Sequence, residues 1–332
     1  MTLQDTPAKR VTAADVARSL GISRATVGFV LNETPGQTIS AATRDRVLAE
    51  AKRLGYRPNN AARALASGHS RIILLVLPDW PLDYSMRANL DEASLALDEA
   101  GHSLVTMTPH PGGHALPLWE TLRPDVVMGM MPFSSQQLEQ IRASGVPHII
   151  PNISAEEFTP EQQLGFAAGP RLQVAHLVDR GRRRLAFAGS TDPRIADLVQ
   201  QRRALAQASA FDLTGEPLRA DEDVTEASVA RAIALWVDAG VDGIVAYNDD
   251  IAALVTGAAV RAGIQVPSTL AIIGHDDTPL AKLFVPSLSS VRIDSAGLGR
   301  YMAQLALSAA TGSPAPAAGP ESEAVLVARE TT

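Results

Sequence analysis

The chain of 332 residues contains no cysteine, which excludes disulfide bonds and metal sites built on thiolates. It has no apolar run near the roughly 18 residues that a membrane-spanning helix needs. The first ten residues lack the hydrophobic core of a signal peptide. Together these absences favour a cytoplasmic protein without membrane contact.

Signatures of common enzyme classes are also missing. The sequence has no G-x-x-x-x-G-K-[ST] phosphate loop, no G-x-S-x-G nucleophile turn and no H-E-x-x-H zinc motif. His110 and His114 have the spacing of a helical metal pair, but Pro111, Gly112 and Gly113 between them forbid a helix. We therefore expect no catalytic residue, no metal and no cofactor.

Charge is distributed unevenly along the chain. The net charge is −7, which at first disfavours nucleic acid as a partner. Residues 1–71, however, hold 11 Lys and Arg against 5 Asp and Glu, whereas the remainder holds 18 against 31. A basic segment on an acidic body is expected when only that segment meets phosphates.

The basic segment begins with two short helical patterns joined by a sharp break. Thr12 and Asp15 form a capping-box variant, and Gly21 permits a tight turn. Ser23 can cap a second helix, whose first exposed residues would be Arg24 and Ala25. Two helices of about two turns with this connection predict a helix-turn-helix unit, whose second helix enters the DNA major groove.

Two more helices are predicted before the composition changes. The third starts after Ser40, buries Val47, Ala51 and Leu54, and stops at Gly55. The fourth, at 60–67, is alanine-rich and about eight residues long. An isolated helix needs about 12–15 residues to persist in water, so this one should form only when something else holds it.

Four motifs now occur in a fixed order: VTAADVARSLGISRATV, VLNETPG, S-x-x-T-R-x-R-V and LGYRPNNAARALASG. In these motifs the chain resembles the lactose-repressor and purine-repressor family of transcription regulators. The resemblance implies an all-α helix-turn-helix head at 1–57, a hinge helix and linker at 58–70, and an effector-binding, dimerising body at 71–332. It places DNA contacts at Thr12, Ser23, Arg24, Ala25, Thr26, Gly28, Phe29, Asn32, Arg57, Asn59, Ala62 and Leu65.

Two of these positions carry alternatives. The family usually has Ser-Arg where Gly28-Phe29 stands, and Phe29 cannot donate a hydrogen bond to guanine. It can either meet a thymine methyl group or pack inward against the head. The resemblance makes Leu65 a wedge in the minor groove, and the alternative is that Leu65 packs the head onto the body.

From Arg71 onward strand and helix patterns alternate. Continuous apolar runs at 72–77, 103–107, 125–131 and 148–150 alternate with helical patterns at 85–100, 115–122 and 134–144. A second such series follows Asn152, in which we predict helices at 169–179, 194–210, 224–239, 249–262 and 295–311. Strands are predicted at 184–188, 243–247, 270–274 and 324–329. The alternation predicts an α/β body of two doubly wound parallel sheets.

The resemblance makes this body similar to type I periplasmic-binding proteins. Lobe one would hold about 71–152 and part of 291–332, lobe two about 153–290, with chain crossings near Asn152, Ser290 and Gly312. Ligands bind beyond the carboxyl ends of parallel strands. We therefore place effector contacts at Trp80, Tyr84, Phe133, Arg194, Asn248, Asp249 and Asp276, of which Asn248, Asp249 and Asp276 match family motif positions.

Other roles remain open for several of these residues. Asn248 and Asp249 can instead cap a helix, and Trp80 and Tyr84 can pack as a lid rather than stack on a ligand. His275 stands where the family has an aromatic residue. The family's effector-clamping arginine is also replaced: Asp197 occupies its position, Gln200 replaces a glycine, and Arg194 lies one turn earlier.

These observations predict a ligand-responsive regulator, most simply a repressor, that binds a pseudo-palindromic operator in double-stranded DNA. The effector would be a small polar molecule, such as a sugar or nucleoside-like metabolite. One helix-turn-helix unit reads one half-site, and no heptad pattern follows the last strand, so a homodimer is expected. The alternative is a solute-binding protein, which would share the body but have no use for the basic head.

Overall fold

The structure is a computed structural model that describes residues 11–32, 36–57, 68–110, 114–157, 169–316 and 324–332. The chain divides between Arg71 and Ile72 into two compact units, named here the head and the body. The predicted hinge helix at 60–67, with Ala62 and Leu65, lies outside the described residues, as does Asn59.

The head contains three helices: α1 (Ala13–Leu20), α2 (Arg24–Leu31) and α3 (Ala41–Arg53). Gly21, with φ of 67°, makes the predicted turn between α1 and α2. One residue of each helix, Val16, Val27 and Val47, is fully buried in a shared core. Because the three valines lie on three different helices, they can meet only where the helices pack against one another, and this core fixes the helix-turn-helix geometry.

The first lobe of the body is a parallel sheet in the order β2-β1-β3-β4. Alternate residues of β1 enter different cores: Ile73 and Leu75 lie in one, Leu74 and Val76 in the other. A strand covered on both faces must be apolar throughout, which explains the continuous run in the sequence. The elements are β1 (Ile72–Val76), α4 (Tyr84–Glu99), β2 (Ser103–Met107), α5 (Leu118–Leu122), β3 (Val126–Gly129), α6 (Ser135–Ala143) and β4 (His148–Ile150).

The second lobe repeats this plan with the parallel order β6-β5-β7-β8. Phe187, Trp236 and Ile244 are among its fully buried side chains. Its elements are α7 (Pro170–Asp179), β5 (Leu185–Ser190), α8 (Ala196–Thr214), β6 (Glu222–Val224), α9 (Val229–Asp238), β7 (Gly243–Ala246), α10 (Asp249–Arg261), β8 (Ala271–Ile273) and α11 (Pro279–Leu283). A single 3-10 turn, Pro193–Ile195, precedes α8.

The last elements serve both lobes. After β9 (Ser290–Arg292), α12 (Ser295–Thr311) packs along α4 and contributes Leu298 and Met302 to a first-lobe core. The strand β10 (Val325–Val327) then pairs antiparallel with β9. At the end of the chain, the carbonyl of Thr331 accepts a hydrogen bond of 2.8 Å from the Ile272 N–H of the second lobe.

One predicted element was wrong at its start. The sequence pattern placed a helix over 224–239, but residues 222–224 form the edge strand β6, and α9 begins at Val229. Glu222-Asp223-Val224 shows no apolar alternation, and the segment is a strand because its backbone pairs with β5. In the described residues, no helix is both long and apolar enough to cross a membrane.

Candidate functional site

The first turn of α2 presents polar groups at the surface of the head. The Ser23 hydroxyl accepts a hydrogen bond of 3.0 Å from Thr26 N, which fixes the start of the helix. Arg24 and Ala25 are exposed immediately after this cap. A guanidinium at a solvent-facing helix N-terminus has the chemistry to bind a base edge or a phosphate.

The unusual pair Gly28-Phe29 lies on the next turn of α2. A Cβ atom built on Gly28 would meet no atom within 4 Å, so the space around this glycine would accept a larger side chain. Phe29 is half-buried, and it is not among the described side chains that pack against the head core. These facts favour an outward role for Phe29, and its contact with a thymine methyl group stays a prediction.

Other predicted DNA contacts occupy the ends of the head helices. The Asp15 carboxylate accepts hydrogen bonds from the Thr12 N–H at 2.9 Å and the Thr12 hydroxyl at 2.7 Å, so the predicted cap of α1 is present. Asn32 is the exposed C-cap of α2, and Arg57 is exposed.

Polar contacts also join the first and third helices of the head. Ser19 of α1 donates a hydrogen bond to Glu50 of α3, and Arg53 also pairs with Glu50.

A cavity of ≈ 510 Å³ opens between the two lobes of the body. The first lobe contributes the residues that follow β1, β3 and β4, together with one face of α12, and the second lobe contributes the start of α8. Trp80 borders the cavity and packs against cores of both lobes. The volume falls within the range of about 300–1,000 Å³ that is usual for small-molecule sites.

A buried charged cluster lies in the second lobe, where Asp276 borders a different hollow. The Arg202 guanidinium is 3.3 Å from Asp276 Oδ1, donates a hydrogen bond of 2.6 Å to the Tyr247 carbonyl, and stacks 4.8 Å from the Tyr247 ring centroid. His275 Nδ1 is 2.6 Å from the same Asp276 oxygen. Burial alone would raise the pKa of Asp276, but the charges of Arg202 and His275 outweigh it and hold that pKa well below its usual range.

Asn248 and Asp249 are both occupied by protein contacts. The Asn248 side chain accepts a hydrogen bond of 3.0 Å from Ile251 N and so caps α10. Asp249 is fully buried, and its two oxygens accept hydrogen bonds of 2.6 Å from the Ser290 hydroxyl and from Thr278 N. Burial raises the pKa of Asp249 to about 7. Asn248 therefore caps the helix, as the alternative predicts, whereas Asp249 does not cap α10 but binds Ser290 and Thr278. Ligand binding by either residue stays a prediction.

The predicted effector contacts do not form one group. Trp80 and Arg194 line the interlobe cavity, whereas Tyr84 and Asp276 line a second hollow of ≈ 410 Å³ beside β9 and α12. Phe133 is 2% exposed and belongs to a first-lobe core. Arg194 lies in the 3-10 turn that precedes α8 and forms a 2.6 Å ion pair with Asp192.

Sequence reasoning missed Arg202, which holds the buried cluster together. The signal was present, because Leu198, Arg202 and Ala206 recur every four residues and share the buried stripe of α8. An arginine on such a stripe needs a buried partner. That partner, Asp276, lies 74 positions away in sequence, and only the fold brings the two together.

Sequence families match both parts of the chain. Residues 12–59 match the family described as bacterial regulatory proteins, lacI family, and residues 174–332 match the family of periplasmic binding protein-like domains. The first match covers the head helices, and the second covers the second lobe and the C-terminal elements. In the described residues, no group of three or more His, Asp or Glu side chains is arranged to hold a metal ion.

Similar proteins cover nearly the whole length. Catabolite control protein A of Staphylococcus xylosus is 28% identical over 289 residues, which are 85% of this chain and 87% of the relative. The HTH-type transcriptional regulator GalS of Salmonella typhimurium is 28% identical over 317 residues, 91% of each chain.

Among solved structures, the Lac repressor dimer bound to operator superposes with a TM-score of 0.77 at 22% identity, covering 97% of this chain and 99% of that one. A lacI-family regulator from Silicibacter pomeroyi gives a TM-score of 0.71, also at 22% identity, with 97% and 99% coverage. These likenesses establish the fold of both units. The chain belongs to the lacI family of bacterial regulatory proteins, and it is a DNA-binding transcription regulator rather than an enzyme.

Proposed function

We propose that this regulator is a repressor that binds a specific operator through its head and is controlled by a small polar effector bound between the lobes of its body. The observation that carries the proposal is the combination of an exposed α2 N-terminus with an interlobe cavity in the same chain. Such a protein acts where the DNA is, in the cytoplasm.

The head is suited to reading a half-site in the major groove. Arg24 and Ala25 stand at the exposed N-terminus of α2, and Gly28 and Phe29 follow one turn later on the same helix. A pair of heads then reads a pseudo-palindrome, which requires a homodimer. Thr12, Ser23, Thr26, Asn32 and Arg57 would support this docking, together with Asn59, Ala62 and Leu65 outside the described residues.

The cavity gives the effector a means to act. Because both lobes line it, a ligand there has different contacts in different lobe arrangements, and it shifts the equilibrium by its differential affinity. Related structures have been solved with cellobiose, for a regulator named CelR, and with lactose, for a regulator from Arthrobacter. A small-molecule ligand for this chain is therefore a reasonable expectation.

A solute-binding protein would share the body but not the head. The lacI-type head match at 12–59 disfavours that alternative.

The DNA-binding proposal is tested by footprinting the full chain on the DNA upstream of its own coding sequence, followed by fluorescence anisotropy on the protected duplex. Arg24→Ala should weaken specific binding by about 10- to 100-fold, the usual value of a base-reading arginine. Arg183→Ala, which removes an exposed arginine of the body, is the matched control and should change little. Equal losses in both variants, or no protected site, would contradict the proposal.

A further inference from the structure

The lining of the interlobe cavity is largely apolar. Four of the seven methionines of the chain, at 128, 130, 131 and 302, border it, together with Trp80, Leu198 and Leu305. Methionine is flexible and polarisable, and it adapts to flat or irregular apolar groups. The polar side chains of the lining are those of Asp79, Arg194, Asp197, Gln201 and Tyr301, so the remaining wall is apolar.

The charges on the cavity wall are unbalanced toward the negative. Asp79 follows β1 in the first lobe and Asp197 lies at the start of α8 in the second, so the cavity has one exposed carboxylate from each lobe. The guanidinium of Arg194 also borders it but is already engaged by Asp192, with Nη2–Oδ2 at 2.6 Å and Nε–Oδ1 at 3.0 Å. That contact raises the pKa of Arg194 first, and the nearby charge of Asp79 raises it further.

The neighbouring cleft holds further carboxylates. Burial raises the pKa of Asp83 in the first lobe, the charges of Asp276 and Asp250 raise it further, and the charge of Arg202 lowers it. The guanidinium of Arg202 is committed to Asp276 and to the Tyr247 carbonyl. In the cavity itself an entering ligand meets the exposed carboxylates of Asp79 and Asp197, which favour a cation.

We propose that the effector is a small organic amine, protonated at neutral pH, with an apolar or aromatic body. This inference rests on the proposed function, since it names the class of molecule that the interlobe cavity of the regulator accepts. The apolar body lies among Trp80 and the methionines, and the ammonium group lies between Asp79 and Asp197. An ammonium held near both carboxylates contacts both lobes, which couples its binding to the lobe arrangement.

Three physical terms favour this ligand over a neutral one of equal size. Burial of its apolar surface against leucine and methionine removes that surface from water. The Trp80 ring face attracts a nearby cation. Two carboxylates offset the cost of removing the ammonium from water, whereas a neutral hydroxyl gains far less from them.

The test is isothermal titration calorimetry of the full chain with tryptamine, a protonated arylalkylamine, and with tryptophol, in which a hydroxyl replaces the amine. Tryptamine should bind at least about tenfold more tightly than tryptophol, because charge-assisted hydrogen bonds are stronger than neutral ones. Asp79→Asn and Asp197→Asn should each reduce this preference severalfold and leave tryptophol affinity unchanged. Asp212→Asn, at the far end of α8 and exposed, is the matched control and should preserve the preference.

A variant in the apolar wall of the cavity tests the apolar contact separately from the charge contact. Met131→Gln should weaken tryptamine and tryptophol by similar factors, since it changes the contact to the ring and not the charge. Equal affinity for the two compounds, tighter binding of galactose than of tryptamine, or no binding of either indole compound would overturn the amine assignment. Operator binding is measured separately by anisotropy: if it persists, the DNA-binding proposal stands although the amine assignment has failed.

Discussion

Removing the Arg202 guanidinium should destabilise the body strongly. In Arg202→Met the apolar stem is kept, but Asp276 loses its cationic partner while the side chain stays only 10% exposed. Breaking one partner of a buried pair costs about 3–5 kcal/mol of unfolding free energy. For a unit the size of the body this lowers the melting temperature by roughly 6–20 °C.

The assay is urea denaturation of the full chain followed by circular dichroism, with Arg171→Met as the control. Arg171 of α7 pairs with Asp212 at 4.0 Å, and the two side chains are 72% and 62% exposed, so its loss should cost no more than about 1 kcal/mol. A double-mutant cycle of Arg202→Met with Asp276→Asn isolates the coupling, because the double variant leaves no unpaired buried charge. Additive effects, or a loss below about 1 kcal/mol in Arg202→Met, would refute the reasoning.

The pH dependence gives a second readout of the same pair. Since the folded-state pKa of Asp276 is depressed, its contribution to stability is present above the unfolded-state pKa near 3.8 and is lost as pH falls below it. In Arg202→Met the pKa of Asp276 should rise, because burial is then opposed by His275 without Arg202. The variant should then become relatively more stable as pH falls toward 4. An unchanged pH profile would contradict the assigned role of Arg202.

Three further outcomes are expected. Gly299→Ala should cost about 1–3 kcal/mol in urea denaturation, because its Cβ would lie 2.1 Å from the Asn89 carbonyl oxygen, whereas Gly257→Ala, which meets only the flexible Arg261 side chain, should be close to neutral. Burial raises the pKa of Asp249 from 3.8 to about 7. The unfolded chain therefore ionises this carboxyl between pH 4 and 7 while the folded chain keeps it protonated, and the free energy of unfolding should fall by about 4 kcal/mol over that range. Asp249→Asn should lack this decline, and identical pH profiles would contradict the assignment. Light scattering at micromolar concentration should give a dimer, and a monomer or a stable tetramer would count against the half-site argument.

Local sequence pattern was enough to place most of the elements. Strands β2 and β4 and helix α12 have the bounds that their sequence patterns predict; α12 carries a buried face, whereas β2 and β4 are only partly covered. The strand β6 was missed because nothing in its own three residues favours a strand, and the neighbouring strand β5 determines its conformation. Patterns of this kind carry information about burial, not about which chain segments pair.

The candidate site was predicted less completely for a related reason. Trp80 is predicted at the cavity by the rule that ligands bind at strand ends, and Arg194 by its position one turn before that of the family's clamping arginine. The same rule could not indicate that Asp276 is held by Arg202, or that Phe133 is a core residue, because both depend on contacts between segments far apart in sequence. The methionines of the cavity come from β3, the loop after it and α12, and no local motif joins them.

The packing of α12 on α4 has a consequence for synthesis of the protein on the ribosome. Leu298 and Met302 close a core whose other members, such as Ile73 and Leu97, lie about 200 residues earlier in the chain. The first lobe is therefore translated first, but its core is completed only after the second lobe has all the strands of its own parallel sheet. Until residues 295–311 leave the ribosome, α4 alone covers that face of the nascent first sheet, and the apolar surface left exposed there is prone to aggregate.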